Sequence, residues 1–447
     1  MMQTPIYDFV QAYAARSALR LHMPGHKGTG LLGVESLDIT EMDGADVLYH
    51  ADGVIQQSEQ NAAELFGTAK TLYSAEGSSL SIRAMLYLTV LYAKEQGKRP
   101  LIAAGRNAHK AFMTAAALLD FEIAWIFPET RQSIVSCEIT GEGLDGFLTA
   151  MEEKPIAVYI TSPDYLGDVA QIGELSRICR RHGALLLVDN AHGAYLNFLP
   201  EQRHPIALGA DLCCDSAHKT LPVLTGGGYL HIAKDAPRLF SEQAERAMSL
   251  FASTSPSYLI LQSLDLANRY LSEGYRERLA SFTKKVLTLK ERLTATGYTL
   301  VGTEPLKVTV AAKAYGYTGA GLALQLQAQN IVCEFSDPDF TVMMLTPENG
   351  DDALSRLEKA LTDIKPAPAV TQQAPPIPKP VKKYSPREAM FRPGRERDVH
   401  ECRGKVLASS AVSCPPAVPI VVCGEIIDEQ AIRLFDYYGT KTCYVTD

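Results

Sequence analysis

The chain of 447 residues has a formal net charge of −8, with 46% hydrophobic and 21% charged residues. Its length exceeds one ordinary hydrophobic core, so two or three domains are expected, and its composition excludes a disordered or fibrous protein. Because the chain is acidic and has no basic stripe, we expect small-molecule partners rather than nucleic acid or an anionic membrane.

The cysteines and the N-terminus indicate the compartment. Nine cysteines without a CxxC pair are typical of reduced thiols in a cytoplasmic protein. Residues 1–17 have neither the basic region nor the apolar region of a secretion signal, and no segment approaches the roughly 20 apolar residues that span a bilayer. We therefore expect a cytoplasmic protein with no membrane partner.

Alternating strand and helix patterns predict the fold of the first half. The predicted helices are 4–17, 80–94 and 172–181, and the predicted strands are 72–73, 101–104, 156–161 and 184–188. Residues 21–30 are rich in Gly and predict a loop. Strands that are apolar on both faces and separated by amphipathic helices indicate a mostly parallel α/β sheet, which places its sites at the carboxyl ends of strands.

The second half predicts smaller units. Its predicted elements are long helices over 255–295, strands at 307–312, 330–333, 340–345 and 418–422, and helices at 320–329 and 428–437. The Pro-rich residues 366–383 predict an extended linker. The expected division is an N-terminal arm (1–30), a large cofactor-binding domain (31–250), a small α/β domain (251–365), the linker (366–383) and a C-terminal α+β domain (384–447).

A lysine follows a short polar run in Ser216-Ala217-His218-Lys219-Thr220. A lysine whose pKa is lowered by desolvation can bond to an aldehyde, and pyridoxal phosphate (PLP) is the obvious aldehyde cofactor. Taken alone, the pentapeptide is more often an ordinary polar turn.

Two other clusters supply what PLP needs. Gly77-Ser78-Ser79 sits between a strand and a helix, where backbone N–H groups, hydroxyls and the helix dipole favour a phosphate, although such a run is usually only an N-cap. Asp189 ends an apolar strand, where it either pairs with the protonated pyridine nitrogen or caps the next segment. Lys219 comes 30 residues later, a spacing that allows both to end strands of one sheet. Ser216 and His218 then add to the phosphate site, and His192 reaches the phenolic oxygen.

Six stretches carry a family resemblance. They are LHMPGHKGTG (21–30), RNAHKAF (106–112), ITSPDYLGDVAQI (160–172), VDNAHGAY (188–195), DSAHKTLPVLTGGGYLH (215–231) and PPAVPIVVCGE (415–425). Together they resemble the Orn/Lys/Arg decarboxylase family, PLP enzymes with the fold of aspartate aminotransferase (fold type I).

The resemblance implies a role for each candidate residue. Lys219 carries PLP covalently, Asp189 pairs with the pyridine nitrogen, and His109 stacks on the ring, so that these three are the catalytic residues. The remaining cofactor-binding positions are His192 near the phenolic oxygen and Gly77, Ser78, Ser79, Ser216 and His218 around the phosphate. No metal is implied, and a homodimer or higher homo-oligomer is expected.

The implied reaction is decarboxylation of a basic L-amino acid to its amine and CO₂, with arginine as the first choice and lysine or ornithine next, feeding polyamine synthesis. Two alternatives stay open: another fold-type-I PLP activity, such as an aminotransferase or an aldolase, and a non-catalytic regulatory paralogue. A cationic substrate needs a distal carboxylate, for which Glu334 is chosen because it follows the predicted strand 330–333. The other candidates are Asp164, Asp168 and Asp337.

The chain also departs from the family pattern. Leu80-Ser81-Ile82-Arg83 follows the glycine and serines where a small polar pair is usual, and Ala417 stands where glycine is typical. We expect a compact member without the N-terminal wing domain of the large bacterial enzymes.

Overall fold

A computed structural model describes residues 2–128, 133–414 and 418–447. The helices are α1 Pro5–Ala15, α2 Val54–Phe66, α3 Gly77–Glu95, α4 Lys110–Leu119, α5 Gly141–Ala150, α6 Ile172–Arg181, α7 Ala217–Thr220, α8 Arg238–Ser249, α9 Tyr258–Ser272, α10 Tyr275–Ala295, α11 Gly319–Gln327, α12 Gly350–Asp363, α13 Pro386–Met390 and α14 Glu429–Tyr438. The strands are β1 Lys70–Ser74, β2 Leu101–Gly105, β3 Glu122–Ile126, β4 Ala157–Thr161, β5 Leu185–Asp189, β6 Leu212–Asp215, β7 Gly228–Ile232, β8 Leu300–Val301, β9 Lys307–Ala311, β10 Phe335–Ser336, β11 Phe340–Met344, β12 Arg395–Asp398, β13 Val406–Leu407, β14 Ala411–Cys414, β15 Val418–Val422 and β16 Thr442–Thr446.

The first compact unit, unit 1, comprises Met1–Lys98 and Leu185–Arg278. Its strands lie in the order β1-β7-β6-β5. β5 and β6 are parallel, with Asp189 opposite Cys214, whereas β7 is antiparallel to both β6 and β1. Every residue of β6 and β7 is buried, and α3 packs on both strands. The sheet therefore has the two-sided cover that continuous apolar strands require.

Unit 2 comprises Arg99–Ala184 and Leu279–Asp447. It contains the parallel strands β4-β2-β3, the antiparallel sheet β10-β11-β9-β8, the sheet β12-β16-β13 and the pair β14-β15. Residues 366–381 form neither helix nor strand, as expected for a linker, and Lys382 pairs with Glu425. The predicted α/β class with a mostly parallel sheet is confirmed, while the division into five segments stays a prediction.

Most element predictions agree with the structure, and one is wrong. The predicted helix 172–181 and strand 418–422 coincide with α6 and β15. The strand predicted at 330–333 is absent: Asn330 has φ +57°, a left-handed conformation that turns the chain after α11, and pairing begins only at Phe335 in β10. The apolar run at 330–333 was therefore not sufficient to form a strand, because strand formation depends on pairing with a neighbour.

Two further observations concern the state of the cysteines and the length and apolarity of the helices. Eight cysteines in the described part of the chain are free thiols. Among the residues that the structure describes, no helix is both long enough and apolar enough to cross a bilayer.

Glu59 on α2 is a carboxyl group buried in unit 1. Its Oε1 accepts a hydrogen bond from the backbone N–H of Tyr73 at 2.9 Å. Burial raises the pKa of Glu59 to about 8, because the charged form would lose its hydration, and Glu245 and Asp46 add repulsion. At neutral pH the folded protein therefore holds this carboxyl mostly protonated.

Glu59→Gln is expected to weaken the pH dependence of stability. The ordinary pKa is 4.5 and the folded value is about 8, so the folded state binds the extra proton between them. The stabilisation from this group is complete below about pH 4.5 and is lost as the pH rises through about 8. At about 1.4 kcal/mol for each pKa unit, the loss amounts to a few kcal/mol.

Denaturant unfolding near the two ends of that pH range measures the effect. The free energy of unfolding should fall more for the wild type than for Glu59→Gln as the pH rises. Glu64→Gln is the matched control, since Glu64 is an exposed residue of the same helix and should keep the wild-type dependence. Equal falls for the wild type and Glu59→Gln would contradict the buried, protonated state.

Candidate active site

Lys219 lies on α7, the single helical turn that follows β6. Its Nζ is 3.1 Å from Nε2 of His192, and the two atoms are hydrogen-bonded. Lys219 is half-buried, whereas His192 is buried. An amine and an imidazole in this contact can share and exchange one proton. The structure thus brings together two of the predicted site residues.

Asp189 is the last residue of β5 and is 2% exposed. Its Oδ1 accepts hydrogen bonds from the backbone N–H of Ala191 at 3.2 Å and from the thiol of Cys214 at 3.6 Å. The first contact is the capping role that the sequence left open. A carboxylate accepts about four hydrogen bonds, so this contact is compatible with pairing to a cation as well.

The residues predicted to bind phosphate lie at and around the start of α3. Ser216 Oγ donates a hydrogen bond to Ser78 Oγ at 2.8 Å, so two predicted hydroxyls meet at the positive end of a 19-residue helix. Gly77 has φ +67°, a conformation that favours glycine, and Ser79 follows in the same turn. The structure therefore brings Ser78 and Ser216 together at one helix start.

Glycines allow α7 and β7 to approach that helix start. A Cβ at Gly228 would lie 2.8 Å from the carbonyl oxygen of Asp215, closer than real Cβ atoms come, and 3.2 Å from the carbonyl carbon of Gly77, a tight contact. His218 Nδ1 donates to the carbonyl oxygen of Gly227 at 2.8 Å, which assigns the ring hydrogen to Nδ1. Gly228 therefore allows β7 to pack closely against Asp215 and the start of α3.

His109 and Glu334 belong to unit 2. His109 is the N-cap of α4, where its Nδ1 accepts a hydrogen bond from the backbone N–H of Ala111 at 3.1 Å. Glu334 is exposed, and its Oε1 accepts a hydrogen bond from the hydroxyl of Tyr165 at 3.0 Å. Both side chains therefore have a defined orientation within unit 2.

A buried network beneath the predicted site could not be inferred from the sequence. Asp215 Oδ2 lies 3.1 Å from His204 Nε2 and 3.2 Å from His231 Nε2, and its Oδ1 accepts a hydrogen bond from Asn190 Nδ2 at 2.7 Å. Burial opposes the ionisation of Asp215, but the two histidines hold the pKa of Asp215 well below its usual range. Asp215 immediately precedes Ser216, so the network supports the strand ends that carry the site. The sequence itself showed only that Asp215 immediately precedes Ser216.

A family model for the major domain of Orn/Lys/Arg decarboxylases matches residues 4–301. The chain belongs to the Orn/Lys/Arg decarboxylase family. The family match confirms the predicted membership and the predicted reaction class, decarboxylation of a basic amino acid by an enzyme.

Relatives extend the family match over almost the whole chain. An arginine decarboxylase of Bacillus subtilis (strain 168) is 29% identical and aligns with 96% of this chain and 92% of its own. The uncharacterized protein YaaO of the same strain is 28% identical, over 97% of this chain and 93% of its own. Lysine decarboxylase A from Pseudomonas aeruginosa has the same fold, with a TM-score of 0.80 at 17% identity, and the match covers 99% of this chain and 80% of that one.

Proposed function

We propose that this family member is a PLP-dependent decarboxylase whose first-choice substrate is L-arginine, followed by L-lysine and L-ornithine. The observation that carries the proposal is the Lys219–His192 contact beside the buried Asp189. The curated relatives include the arginine decarboxylase of Bacillus subtilis. This similarity favours arginine as the substrate of the present enzyme.

The residues present in unit 1 fit PLP. The cofactor offers an aldehyde, a phosphate and a basic ring nitrogen. Lys219 supplies the amine for the aldehyde, the hydroxyls of Ser78 and Ser216 at the start of α3 suit the phosphate, and Asp189 supplies negative charge for the protonated nitrogen. His192, as a hydrogen-bonding neighbour of Lys219, suits the phenolic oxygen.

The chain's own groups then perform binding and proton transfer. When bound, PLP supplies an electron sink for the charge left by the loss of CO₂. Lys219 holds the cofactor and, when its Nζ is released, holds or delivers a proton at that atom. His192 Nε2 can exchange that proton over 3.1 Å. We assign stacking to His109, and assign the return of a proton to the substrate to Lys219 or His109.

Glu334 remains our choice for the distal cation of the substrate. It is an exposed carboxylate oriented by Tyr165. Burial raises the pKa of Asp164 and of Asp337 to about 6, and backbone N–H groups already occupy Oδ1 of each carboxyl group. Burial also raises the pKa of Asp168, with repulsion from Glu138. An accessible carboxylate is the better partner for a guanidinium or ammonium group.

The assembly and the cellular role belong to the same proposal. We assign the enzyme to the cytoplasm, in line with its free thiols, as a homodimer or higher homo-oligomer that supplies amines for polyamine synthesis.

Product analysis tests the reaction. The PLP-loaded protein is incubated separately with L-arginine, L-lysine and L-ornithine, and CO₂, amine and keto acid are quantified. We expect CO₂ and the matching amine in equal amounts, fastest with arginine. Keto acid without CO₂ would identify an aminotransferase, an aldehyde released by carbon–carbon cleavage would identify an aldolase, and failure to bind PLP would revive a regulatory paralogue.

Ser216→Ala is expected to weaken PLP binding. The variant removes the hydroxyl that meets Ser78 at the start of α3. A hydrogen bond to a charged group contributes about 1.5–3 kcal/mol, so the Kd for PLP should rise about tenfold or more. Fluorescence titration with PLP measures the change, and Ser249→Ala, at the half-buried last residue of α8, is the control. An unchanged Kd for Ser216→Ala would remove Ser216 from the phosphate site.

A further inference from the structure

A buried ion pair joins two segments of unit 2 that are 319 residues apart in sequence. Arg106 Nη1 and Nη2 donate to Glu425 Oε1 and Oε2 at 2.8 and 2.7 Å, and both side chains are 5% exposed. The guanidinium carbon lies 5.0 and 5.4 Å from the ring centroids of Trp125 and Phe127. Glu425 Oε2 also accepts a hydrogen bond from the backbone N–H of Val422 at 2.8 Å. The pair is therefore held in one geometry from both sides.

Arg106 is three residues before His109 in the stretch RNAHKAF. Within that link, the backbone N–H of Ala108 donates to the carbonyl oxygen of Gly105 at 3.1 Å. His109 then caps α4, and because its Nδ1 accepts from Ala111 N–H, the neutral ring carries its hydrogen on Nε2. Only a short, hydrogen-bonded turn therefore separates Arg106 from the N-cap residue His109.

The C-terminal part of the chain also holds the other end of α4. Arg387 on α13 donates from Nη1 to the carbonyl oxygens of Ala117 and Leu118 at 3.2 and 3.1 Å. These carbonyls lie in the last turn of α4, where helical carbonyls lack partners within the helix. The last turn of α4 and the segment that leads into its first turn are thus both bonded to residues beyond the linker.

Stability alone is a weak reason for a buried ion pair. Well-packed apolar residues of similar volume usually give equal or greater stability, whereas removing one partner leaves a costly buried charge. A fork with two parallel hydrogen bonds does, however, fix direction and distance. The geometry of this ion pair therefore indicates that it orients the two segments that it joins.

We propose that Glu425 and Arg106 are positioning residues of the active site, through which the C-terminal part of the chain fixes the orientation of His109. The inference rests on the proposed function, which places His109 against the cofactor ring. Glu425 belongs to the stretch 415–425, of which residues 415–417 lie outside the described part. The proposal therefore gives this stretch a role in the reaction, namely orienting His109.

The double variant Arg106→Met/Glu425→Leu separates positioning from stability. Because the apolar pair leaves no buried charge, we expect thermal unfolding close to that of the wild type. We expect kcat to fall about 10- to 100-fold, since small misplacements of a reacting group can cost about 100-fold, with a much smaller change in KM. The visible circular dichroism of bound PLP, which reports ring orientation, should decrease. Arg106→Lys, which keeps the charge but loses the fork, should show an intermediate loss of kcat.

A second pair in unit 2 provides the matched control. Lys313 and Asp339 form an ion pair whose side chains are 14% and 16% exposed. Lys313→Met/Asp339→Leu should keep the wild-type kcat and dichroism. If the Arg106/Glu425 double variant folds with unchanged kcat and dichroism, or if both double variants lose activity equally, the proposal is overturned.

Hydrogen exchange keeps this test independent of the proposed function. In the absence of PLP, amides of residues 105–112 should exchange faster in the Arg106→Met/Glu425→Leu variant than in the wild type. Unchanged exchange would overturn the positioning role. If the wild-type protein itself binds no PLP or releases no CO₂, the proposed function fails, and the exchange measurement still decides whether the pair orders this segment.

Discussion

Lys219→Ala is expected to reduce CO₂ release by about 10³-fold or more. The substitution removes the amine that we propose as the anchor for the aldehyde of PLP, and it also removes the hydrogen-bonding partner of His192 at 3.1 Å. Two functions are lost in one side chain, so the effect should exceed that of any other single substitution considered. Release of labelled CO₂ from carboxyl-labelled arginine, together with the visible absorbance of PLP-loaded protein, measures both losses.

A second lysine provides the control for that experiment. Lys234 follows β7 on the exposed surface of unit 1, and Lys234→Ala should leave CO₂ release and absorbance unchanged. Near-normal turnover by Lys219→Ala would exclude Lys219 as the covalent anchor. Lys219→Arg should be as inactive as the alanine variant, because a guanidinium keeps the positive charge without supplying a nucleophilic amine.

Asp189→Asn is expected to lower kcat by at least about 10- to 100-fold. Asparagine keeps the size of the side chain and an oxygen that can accept from the N–H of Ala191, but it removes the negative charge. A hydrogen bond between charged groups contributes about 1.5–3 kcal/mol, and each 1.36 kcal/mol corresponds to a factor of ten in rate. Steady-state kinetics at saturating PLP isolate this effect on the chemical step.

Asp211 offers a matched substitution at the opposite end of the paired strands. Its Oδ2 accepts a hydrogen bond from the backbone N–H of Leu186 at 2.7 Å, at the start of β5. Asp211→Asn should therefore retain nearly wild-type kcat. Equal losses in the two Asp→Asn variants would mean that Asp189 acts only through the stability of the sheet.

Local patterns in the sequence were sufficient to predict the frame of the site. The apolar runs of β5 and β6 end at Asp189 and Asp215, and the polar residues directly after them include His192 and Lys219. Because β5 and β6 pair in parallel, their carboxyl ends meet at one edge, as the spacing of Asp189 and Lys219 indicated, and the structure adds the contact between Lys219 and His192. The helix predicted at 80–94 is present as α3, which begins at Gly77 and so includes the Gly-Ser-Ser run that was expected to precede it.

Contacts between distant segments could not be predicted in this way. The partners of Asp215 include two histidines, His204 and His231, and neither carries a local signal for burial. The Arg106–Glu425 pair spans 319 residues, so only the fold reveals it. The strand predicted at 330–333 fails for the complementary reason, because an apolar run does not by itself provide a pairing partner.

Borohydride trapping tests the central claim most directly. The PLP-loaded protein is reduced with borohydride, digested, and analysed by peptide mass spectrometry for a lysine that carries the reduced cofactor. The account predicts that the label lies on Lys219 and that arginine added before reduction lowers the labelling. A label on another lysine, with the Lys219 peptide unmodified, would contradict it.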